Sequence, residues 1–245
     1  MTRHVLVTGS SRGIGRAIAA AFVSAGDRVT VHARTAESAD AARCALGAAG
    51  AIGVDVTDAD AFAGALRALE PVDVLVNNAG GVETAPLARM DVAQLRRMMA
   101  LNVEPVLTAI GAVVPGMTAR GVGRIVTVAS MASLKGYAYV GAYTAAKHAV
   151  LGLTRAFALE LAGSGITVNA VCPGYTDTDL IAGSLDRLEQ KTGRDRAALL
   201  ADFTRSNPLG RLIQPDEVAS AVLFLAAPAS GGITGQALAI AGGET

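Results

Sequence analysis

The chain has few of the features that would point to several common classes of protein. It contains only two cysteines, Cys44 and Cys172, which lie far apart and form no spacing typical of a metal or redox site. Its 21 Lys and Arg residues are balanced by 21 Asp and Glu residues, and no basic run stands out. We therefore expect two ordinary buried thiols, no metal site and no nucleic-acid partner.

Long hydrophobic runs are also missing. Although 51% of the residues are hydrophobic, no apolar run reaches the roughly eighteen residues of a membrane span without Gly, charge or polar interruption. The opening residues, MTRHVLVTG, are typical of a strand leading into a turn and not of a secretory signal. We expect a cytoplasmic protein with no membrane partner.

Strand and helix patterns alternate along the whole chain. Its length of 245 residues suits one domain of the larger α/β kind. The alternation predicts a single-domain, doubly wound parallel sheet over residues 1–245, with helices on both faces and right-handed crossovers. Among the predicted elements are helices over 36–49, 91–118 and from about 142, a helix beginning near Pro215, an N-cap at Asp58, and strands over 3–8, 28–33 and 124–129.

A glycine-rich turn, TGSSRGIG, follows the first strand and precedes a helix. Gly9, Gly13 and Gly15 allow a tight turn that brings amide groups up to a diphosphate, which the positive end of the helix also attracts. Strand, turn and helix arrive in the order that dinucleotide binding requires. The alternative is a plain glycine-rich turn with no ligand.

The tip of the second strand predicts which dinucleotide binds. Sites that prefer NAD place an acidic residue there, whereas this chain has Ala33 and Arg34, and Arg12 lies in the glycine turn. Two guanidinium groups can clamp a 2′-phosphate, so we predict NADP(H). The alternative is that both arginines are only solvated. His32 is assigned no role.

The stretch from Gly123 to Leu161 carries the candidate chemistry. Tyr143 and Lys147 fall one turn apart on one face of a helix. A phenol has a pKa of about 10, and a fixed ammonium nearby would lower it. Ser130 ends the preceding strand, where ligands of parallel α/β sheets bind. The alternative for the pair is a solvated ring and a solvated amine.

Ser130 and the YTAAK motif resemble the serine and YxxxK signature of classical short-chain dehydrogenases/reductases, a family with a Rossmann-type fold. The resemblance covers essentially the whole chain. It implies that Ser130 holds a carbonyl oxygen, Tyr143 donates the proton, and Lys147 lowers the tyrosine pKa and binds the nicotinamide ribose. It also implies that Asn102 holds a water leading to Lys147; the alternative is a buried amide at a helix kink near Pro105.

The resemblance also implies where the cofactor lies. Asp55 and Val56 would meet the adenine, the NNAG motif would line the cofactor, and the Pro-Gly motif would pass under the nicotinamide. The complete set of predicted cofactor-binding residues is Gly9, Ser11, Arg12, Gly13, Ile14, Gly15, Arg34, Asp55, Val56, Asn78, Ala79, Gly80, Tyr143, Lys147, Pro173, Gly174, Thr176 and Thr178.

Residues 175–208 are predicted to form a mobile lid over the substrate. Their basic residues either contact phosphates of a carrier or form a solvated face. The loop LKGYAYVG offers side chains for a substrate pocket or for an interface, namely Leu134, Tyr137, Tyr139 and Val140.

The sequence looks most similar to 3-oxoacyl thioester reductases and aromatic polyketide ketoreductases. It departs from the polyketide enzymes after NNAG, where Gly81, Val82 and Glu83 replace a Pro-Gly-Gly element. We expect a homotetrameric, NADP(H)-dependent reductase of a small ketone or acyl thioester. The alternatives are a non-catalytic regulator that binds NADP and an alcohol dehydrogenase acting on another small hydroxy compound.

Overall fold

A seven-stranded parallel sheet forms the centre of the protein, whose computed structural model describes residues 2–245. Its strands are β1 His4–Val7, β2 Arg28–Ala33, β3 Gly50–Gly53, β4 Val74–Asn77, β5 Gly123–Val128, β6 Ile166–Pro173 and β7 Ala237–Ile240. They stand in the order β3-β2-β1-β4-β5-β6-β7, and all neighbouring pairs are parallel. The predicted doubly wound sheet is confirmed.

Helices cover both faces of the sheet. They are α1 Gly13–Ser24, α2 Ala36–Leu46, α3 Ala59–Arg67, α4 Val92–Asn102, α5 Glu104–Arg120, α6 Gly141–Leu161, α7 Asp179–Thr192, α8 Arg196–Thr204 and α9 Pro215–Ala226. Alternate residues of each strand point to opposite faces. Leu6 and Leu75 therefore join one core with α3, α4, α5 and α6, whereas their neighbours Val5 and Val74 join a second core with α1, α2 and α9.

The helix predicted over 91–118 is in fact two helices. α4 ends at Asn102, Val103 has φ −113° and ψ −53°, and α5 begins at Glu104 with Pro105 in its first turn. Proline lacks an amide hydrogen and suits the first turn of a helix, so it favours a new helix at this point over a continuous one. The break places Asn102 at a helix end.

By length and composition alone, the run 92–120 could cross a membrane. In the fold it is a core element, because Val106, Ile110, Val113 and Met117 are buried against the sheet and against α3. A core helix of a globular protein passes the same test, so the run carries little weight as a membrane segment.

Smaller predictions are partly confirmed. Asp58 caps α3 by accepting a 3.1 Å hydrogen bond from the Ala61 amide, and α9 begins at Pro215. The helix predicted to reach residue 49 ends at Leu46, because Gly47 adopts the left-handed conformation that terminates helices. Cys172 is buried as expected, but Cys44 is exposed on α2, so the prediction of two buried thiols is wrong for that residue.

The strand order places the candidate site. The chain moves outward from β1 through β2 to β3 and then returns to β4 on the other side of β1. Ligands of such sheets bind outside the carboxyl ends of the strands, where the order reverses. The glycine turn follows β1, the NNAG motif follows β4 and Ser130 follows β5 at this same edge. Residues 175–208, which contain α7 and α8, follow β6 there.

Candidate active site

Ser130, Tyr143 and Lys147 meet beyond the carboxyl end of β5. The hydroxyl of Ser130 accepts a 3.1 Å hydrogen bond from the Ala132 amide, which fixes the start of a short 3₁₀ turn. Tyr143 and Lys147 lie one turn apart in α6, and the Lys147 ammonium is 5.7 Å from the centre of the tyrosine ring. The structure therefore brings together the three groups that the sequence singled out.

Lys147 is a buried ammonium and not a solvated one. Its residue is 6% exposed, and its Nζ donates a 3.0 Å hydrogen bond to the Val128 carbonyl. Burial lowers the pKa of Lys147 to about 8, because a low-dielectric environment disfavours the charged form. The side chain is thus anchored to the end of β5. Its pKa lies about one unit above neutral pH, so the ammonium form still predominates there.

The expected lowering of the Tyr143 pKa by Lys147 is wrong in this structure. Burial raises the pKa of Tyr143, and the Ser130 hydroxyl opposes that rise. The Lys147 ammonium, 5.7 Å from the centre of the ring, does not outweigh the effect of burial. The phenol is therefore held as a neutral proton donor near Ser130.

Asn102 is almost fully buried, and its amide is satisfied by protein groups. Its Oδ1 accepts a 3.1 Å bond from the Gly81 amide, and its Nδ2 donates to the carbonyls of Gly81 and Met98, each at 3.0 Å. This arrangement corresponds to the structural alternative, a buried amide at the kink before Pro105. A water relay through Asn102 stays a prediction.

Gly80 packs directly against this amide. A Cβ atom at Gly80 would lie 2.6 Å from the Asn102 Oδ1 and 3.9 Å from the Lys147 Nζ. A distance under about 3 Å leaves no room for a methyl group. Asn102, Gly80 and Lys147 therefore converge on one point, which only a glycine at position 80 permits.

The NNAG motif holds the glycine turn. The Asn78 Nδ2 donates to the carbonyls of Thr8 and Gly9 at 3.0 and 2.9 Å, and the Thr8 hydroxyl accepts from the amides of Asn78 and Ala79. A Cβ at Gly15 would lie 2.3 Å from the Asn78 Nδ2. Two predicted cofactor segments therefore form one packed unit.

A candidate anion site lies where two helices begin. The first residues of α1 and α7 receive no side-chain cap, so their leading amides remain available. Arg12, Gly13 and Thr178 line a cavity of about 380 Å³ between the two helix ends, together with Arg16 and Asp177. Helix N-termini and guanidinium groups attract phosphate, whereas the carboxylates of Asp177 and Asp179, which also line the cavity, repel it. The diphosphate of a dinucleotide is therefore predicted to lie on the Arg12 and Gly13 side of the cavity.

The end predicted to bind adenosine is more solvated. The Arg34 side chain is 78% exposed, and its Nε lies 3.9 Å from Oδ2 of Asp55. Hydrogen bonds from Thr57, with a smaller effect of Arg34, hold the pKa of Asp55 below its ordinary value. Val56 beside it is buried. Arg34 thus faces solvent with one distant partner, and its contact with a 2′-phosphate stays a prediction.

Residues at the end of β6 lie close to the anion site. Pro173 ends the strand, and the Gly174 amide donates a 3.0 Å bond to the Ile240 carbonyl. The Thr176 hydroxyl donates to the Gly174 carbonyl at 3.0 Å. The hydroxyl of Thr178 donates to the Thr176 carbonyl at 3.3 Å. Both hydroxyls are used within the chain, so their predicted cofactor contacts stay predictions.

An aromatic wall borders the site, and sequence reasoning found only one of its members. The rings of Tyr137 and Tyr175 meet edge to face with centroids 6.2 Å apart, and Tyr175 meets Phe203 of α8 at 4.9 Å. The Tyr137 hydroxyl donates to Glu244, near the end of the chain. Tyr175 and Phe203 are aromatic residues of the predicted lid, which was the one available signal, but nothing in the sequence pairs Tyr137 with Glu244.

The other proposed pocket residues do not join this wall. Leu134 and Tyr139 are 40% and 67% exposed. Tyr139 also has a φ of +69°, a left-handed conformation that is uncommon for residues other than glycine. Their exposure favours the alternative of an interface over that of a pocket.

Arginines of the 175–208 segment mostly form ion pairs within it. Arg194 and Arg205 both contact Asp202, and Arg196 contacts Asp186 at 2.5 Å. These pairs are exposed, as expected for a solvated face. They favour that alternative over a phosphate-binding role.

Comparison with known proteins agrees with this architecture. The sequence profile described as short chain dehydrogenase matches residues 3–188. Galactitol 2-dehydrogenase (L-tagatose-forming) of Cereibacter sphaeroides is 40% identical over 98% of this chain and 93% of its own length. The 3-oxoacyl-(acyl-carrier-protein) reductase of Vibrio harveyi is 38% identical over 97% and 95%.

The fold is likewise shared with a solved structure. An actinorhodin polyketide ketoreductase variant with NADPH superposes with a TM-score of 0.93 at 34% identity, over 99% of this chain and 97% of that one. Identity of this size over nearly whole chains, together with the family profile, leaves one conclusion. The chain belongs to the short chain dehydrogenase family and is an oxidoreductase.

Proposed function

We propose that the chain is an NADP(H)-dependent ketoreductase, which reduces a ketone to a secondary alcohol or catalyses the reverse reaction. The observation that carries the proposal is the convergence of Ser130, Tyr143 and Lys147 beyond β5, beside the packed unit of glycine turn and NNAG motif. The proton donor Tyr143 then lies next to the Ser130 hydroxyl, which would bind the carbonyl oxygen, and next to the dinucleotide site. Carbonyl reduction requires this proximity.

The proposed reaction divides into a hydride step and a proton step. A nicotinamide held beside Ser130 and Tyr143 would supply the hydride for the carbonyl carbon. The Ser130 hydroxyl donates a hydrogen bond to the carbonyl oxygen, and the Tyr143 phenol gives its proton to that oxygen as negative charge develops there. A phenol kept neutral by burial is in the form that this step needs.

Lys147 and Asn102 support the proton donor. The Lys147 ammonium, fixed by the Val128 carbonyl, places positive charge below the ring and would bind the nicotinamide ribose. Such a charge stabilises the phenolate that is left after the proton has moved. Asn102 would complete a route for the replacement proton.

The proposed cofactor is NADP(H). The diphosphate would lie at the uncapped starts of α1 and α7, with Ser11 and Ile14 in the turn. Arg12 and Arg34 would hold the 2′-phosphate, because no acidic side chain occupies the end of β2. Asp55 would accept from the adenine amino group beside Val56.

The proposed substrate is an apolar small-molecule ketone, of the 3-oxoacyl thioester or polyketide type. The wall formed by Tyr137, Tyr175 and Phe203 presents ring faces and edges, and the Tyr137 hydroxyl is already bound to Glu244. Such a surface suits an acyl chain or a ring better than a polyol. Oxidation of a small hydroxy compound is the second candidate, since a galactitol dehydrogenase is among the relatives.

The proposal also covers the oligomeric state of the protein and its location in the cell. Phe224 of α9 and Leu238 of β7 are exposed apolar side chains at the edge of the sheet, where a second copy would cover them in a homotetramer. Residues 175–208 would act as the lid, and the enzyme would work in the cytoplasm. Light scattering of the purified protein measures the assembly directly.

A spectrophotometric assay of NADPH oxidation tests the reaction. The panel contains acetoacetyl and longer 3-oxoacyl thioesters, bicyclic ketones and, in the oxidative direction, polyols with NADP⁺. Tyr143→Phe removes the proton donor and should lower the rate about a hundredfold to ten-thousandfold. Tyr139→Phe is the control, since that ring is exposed. A regulator without turnover would oxidise no NADPH with any ketone, and an unchanged rate in Tyr143→Phe would refute the assignment of the acid.

A further inference from the structure

His32 is a buried titratable side chain that the proposed reaction does not use. It lies near the end of β2 and is 3% exposed. The Gly9 amide lies 3.0 Å from its Nδ1, and the Val54 carbonyl lies 3.0 Å from its Nε2. Phe62 of α3 packs edge to face on the ring, with centroids 5.4 Å apart. Each ring nitrogen therefore has one backbone partner.

These two partners determine the tautomer and the charge of the ring. A backbone amide can only donate a hydrogen bond, and a carbonyl can only accept one. The Nδ1 of His32 must therefore be the bare nitrogen that accepts from Gly9, and Nε2 must carry the hydrogen that goes to Val54. A proton on Nδ1 would confront the Gly9 amide hydrogen, so only the neutral ring satisfies both contacts.

The two partners belong to different parts of the proposed cofactor site. Gly9 opens the glycine turn in a left-handed conformation, with φ +62°. Val54 immediately precedes Asp55 on the adenosine side. The His32 backbone strengthens the link to the turn, because its amide donates to the Ser10 hydroxyl at 2.9 Å and its carbonyl accepts from the Ser10 amide at 2.8 Å. One residue thus bridges both binding segments.

We propose that His32 is a positioning residue for dinucleotide binding: its neutral imidazole holds the glycine turn and the Val54–Asp55 segment in the register that diphosphate and adenosine require. The inference rests on the proposed cofactor site. Loss of the Nδ1 acceptor leaves the partly buried Gly9 amide without its partner, which favours rearrangement of the turn.

The proposal makes cofactor affinity depend on pH. Of the groups near the ring, the Asp55 carboxylate favours the charged imidazole, and this carboxylate is itself paired with Arg34. The other neighbours, Ser10 of the glycine turn and Phe62 of α3, carry no charge. Burial outweighs Asp55 and lowers the pKa of His32 below its ordinary value of 6.5. NADPH affinity should therefore hold at neutral pH and fall in acid, as protonation removes the acceptor for Gly9.

Two substitutions separate the two hydrogen bonds. Asparagine can place an amide oxygen near the position of Nδ1, so His32→Asn keeps an acceptor for Gly9. Glutamine can place an amide group near the position of Nε2, so His32→Gln keeps the donor to Val54 and loses that acceptor. We expect His32→Gln to raise the Kd for NADPH about tenfold and His32→Asn to raise it much less.

His4 provides a matched control. It is also a buried strand histidine, 4% exposed, with carbonyl partners at Glu70 and Pro71 and the Thr30 hydroxyl at 2.8 Å. It lies at the amino end of β1, away from the cofactor edge. His4→Gln should lower the melting temperature and leave the Kd for NADPH unchanged.

Calorimetric titration of the full chain with NADPH measures the Kd of each variant, and steady-state kinetics measure the KM for NADPH and for the ketone. Positioning predicts that the effect of His32→Gln is confined to the Kd and KM for NADPH, with the KM for the ketone unchanged. A purely structural role predicts a lower melting temperature with wild-type affinity in the folded fraction, which would overturn the proposal. Equal weakening by His4→Gln would overturn it too.

Wild-type protein gives a direct measurement of the tautomer, and a variant is needed only to assign the signals of His32. Long-range nitrogen correlation spectra of histidine-labelled protein should show the Nε2–H tautomer for a ring whose signals disappear in His32→Asn. An Nδ1–H tautomer would refute the inference, and so would an NADPH affinity that stays constant through the pH at which these spectra show the His32 ring becoming protonated. Wild-type turnover with ketone is scored separately, so its absence would refute the proposed function and not this link.

Discussion

The carboxylate of Glu244 accepts a 2.5 Å hydrogen bond from the hydroxyl of Tyr137. Glu244 is 5% exposed, and the Lys135 ammonium lies 3.0 Å from the same carboxylate. Burial alone would raise the pKa of Glu244, but hydrogen bonds from Tyr137, Lys135 and Ser206 bring it below its ordinary value. The side chain therefore ties the loop after β5 to the base of the 175–208 segment.

Glu244→Gln should loosen the aromatic wall next to Tyr143. The amide keeps the size of the carboxylate but loses the ion pair with Lys135, so the Tyr137 ring is held less firmly. We expect the KM for the ketone to rise about fivefold to tenfold, with a smaller change in kcat. Steady-state kinetics measure this, with Asp186→Asn as the control because that carboxylate forms an exposed pair. An unchanged KM would contradict the role of Glu244.

Arg34→Ala should weaken binding of NADPH and leave NADH unaffected. The proposed contact is a charge-assisted hydrogen bond to the 2′-phosphate, which NADH lacks. Loss of such a bond corresponds to about a tenfold to hundredfold rise in Kd. Arg43→Ala, at an exposed arginine of α2, is the control. NADPH affinity equal to that of the wild type would remove Arg34 from the cofactor site.

Gly80→Ala should damage the site, whereas Gly152→Ala should not. The added methyl group at position 80 would meet the Asn102 amide oxygen at 2.6 Å, so we expect a loss of about 1–3 kcal/mol in unfolding free energy together with lower activity. Gly152 lies within α6 with no atom near its Cβ position, so alanine there should stabilise the helix by about 0.5–1 kcal/mol. Urea unfolding compares the two. Equal stability of both variants would contradict the convergence at Gly80.

Lys147→Met should increase stability at neutral pH while it abolishes activity. The folded protein binds the lysine proton with a pKa of about 8, whereas the ordinary value is 10.5. At neutral pH both states hold the proton, and the folded state bears a burial cost of about 3 kcal/mol. Between about pH 8 and 10.5 only the unfolded chain holds it, so wild-type stability rises with pH.

Urea unfolding at neutral pH and near pH 10 tests this sign. The stability difference between Lys147→Met and wild type should shrink as the pH rises. Lys191→Met is the control, since Lys191 is exposed on α7. Parallel pH dependences of wild type and Lys147→Met would show that the ammonium carries no burial cost.

Much of the fold follows from local sequence. The alternation of strand and helix patterns predicted the parallel sheet, and Asp58 and Pro215 marked helix starts correctly. The helix break at Val103 was missed, because an apolar helical period continues through it while Pro105 acts on only one turn. The break leaves Asn102 at a helix end, where its side chain binds Gly81 on another segment.

The candidate site was predicted unevenly for a similar reason. Tyr143 and Lys147 share one helix, so their spacing alone predicted that they would be neighbours. His32 and Glu244 were missed, because their partners come from distant parts of the chain: Gly9 and Val54 for the first, Tyr137 for the second. A polar residue within an apolar strand was the one sequence signal for His32.

The sequence by itself determined the order of strands and helices, the glycine turn and the helical face shared by Tyr143 and Lys147. These features depend on residues close together in the chain, whose backbone preferences act locally. Only the tertiary structure decided the lowered pKa of Lys147, the raised pKa of Tyr143 and the tautomer of His32. Burial and hydrogen-bond partners from distant segments set those properties, and neither exists until the sheet and its helices have packed together.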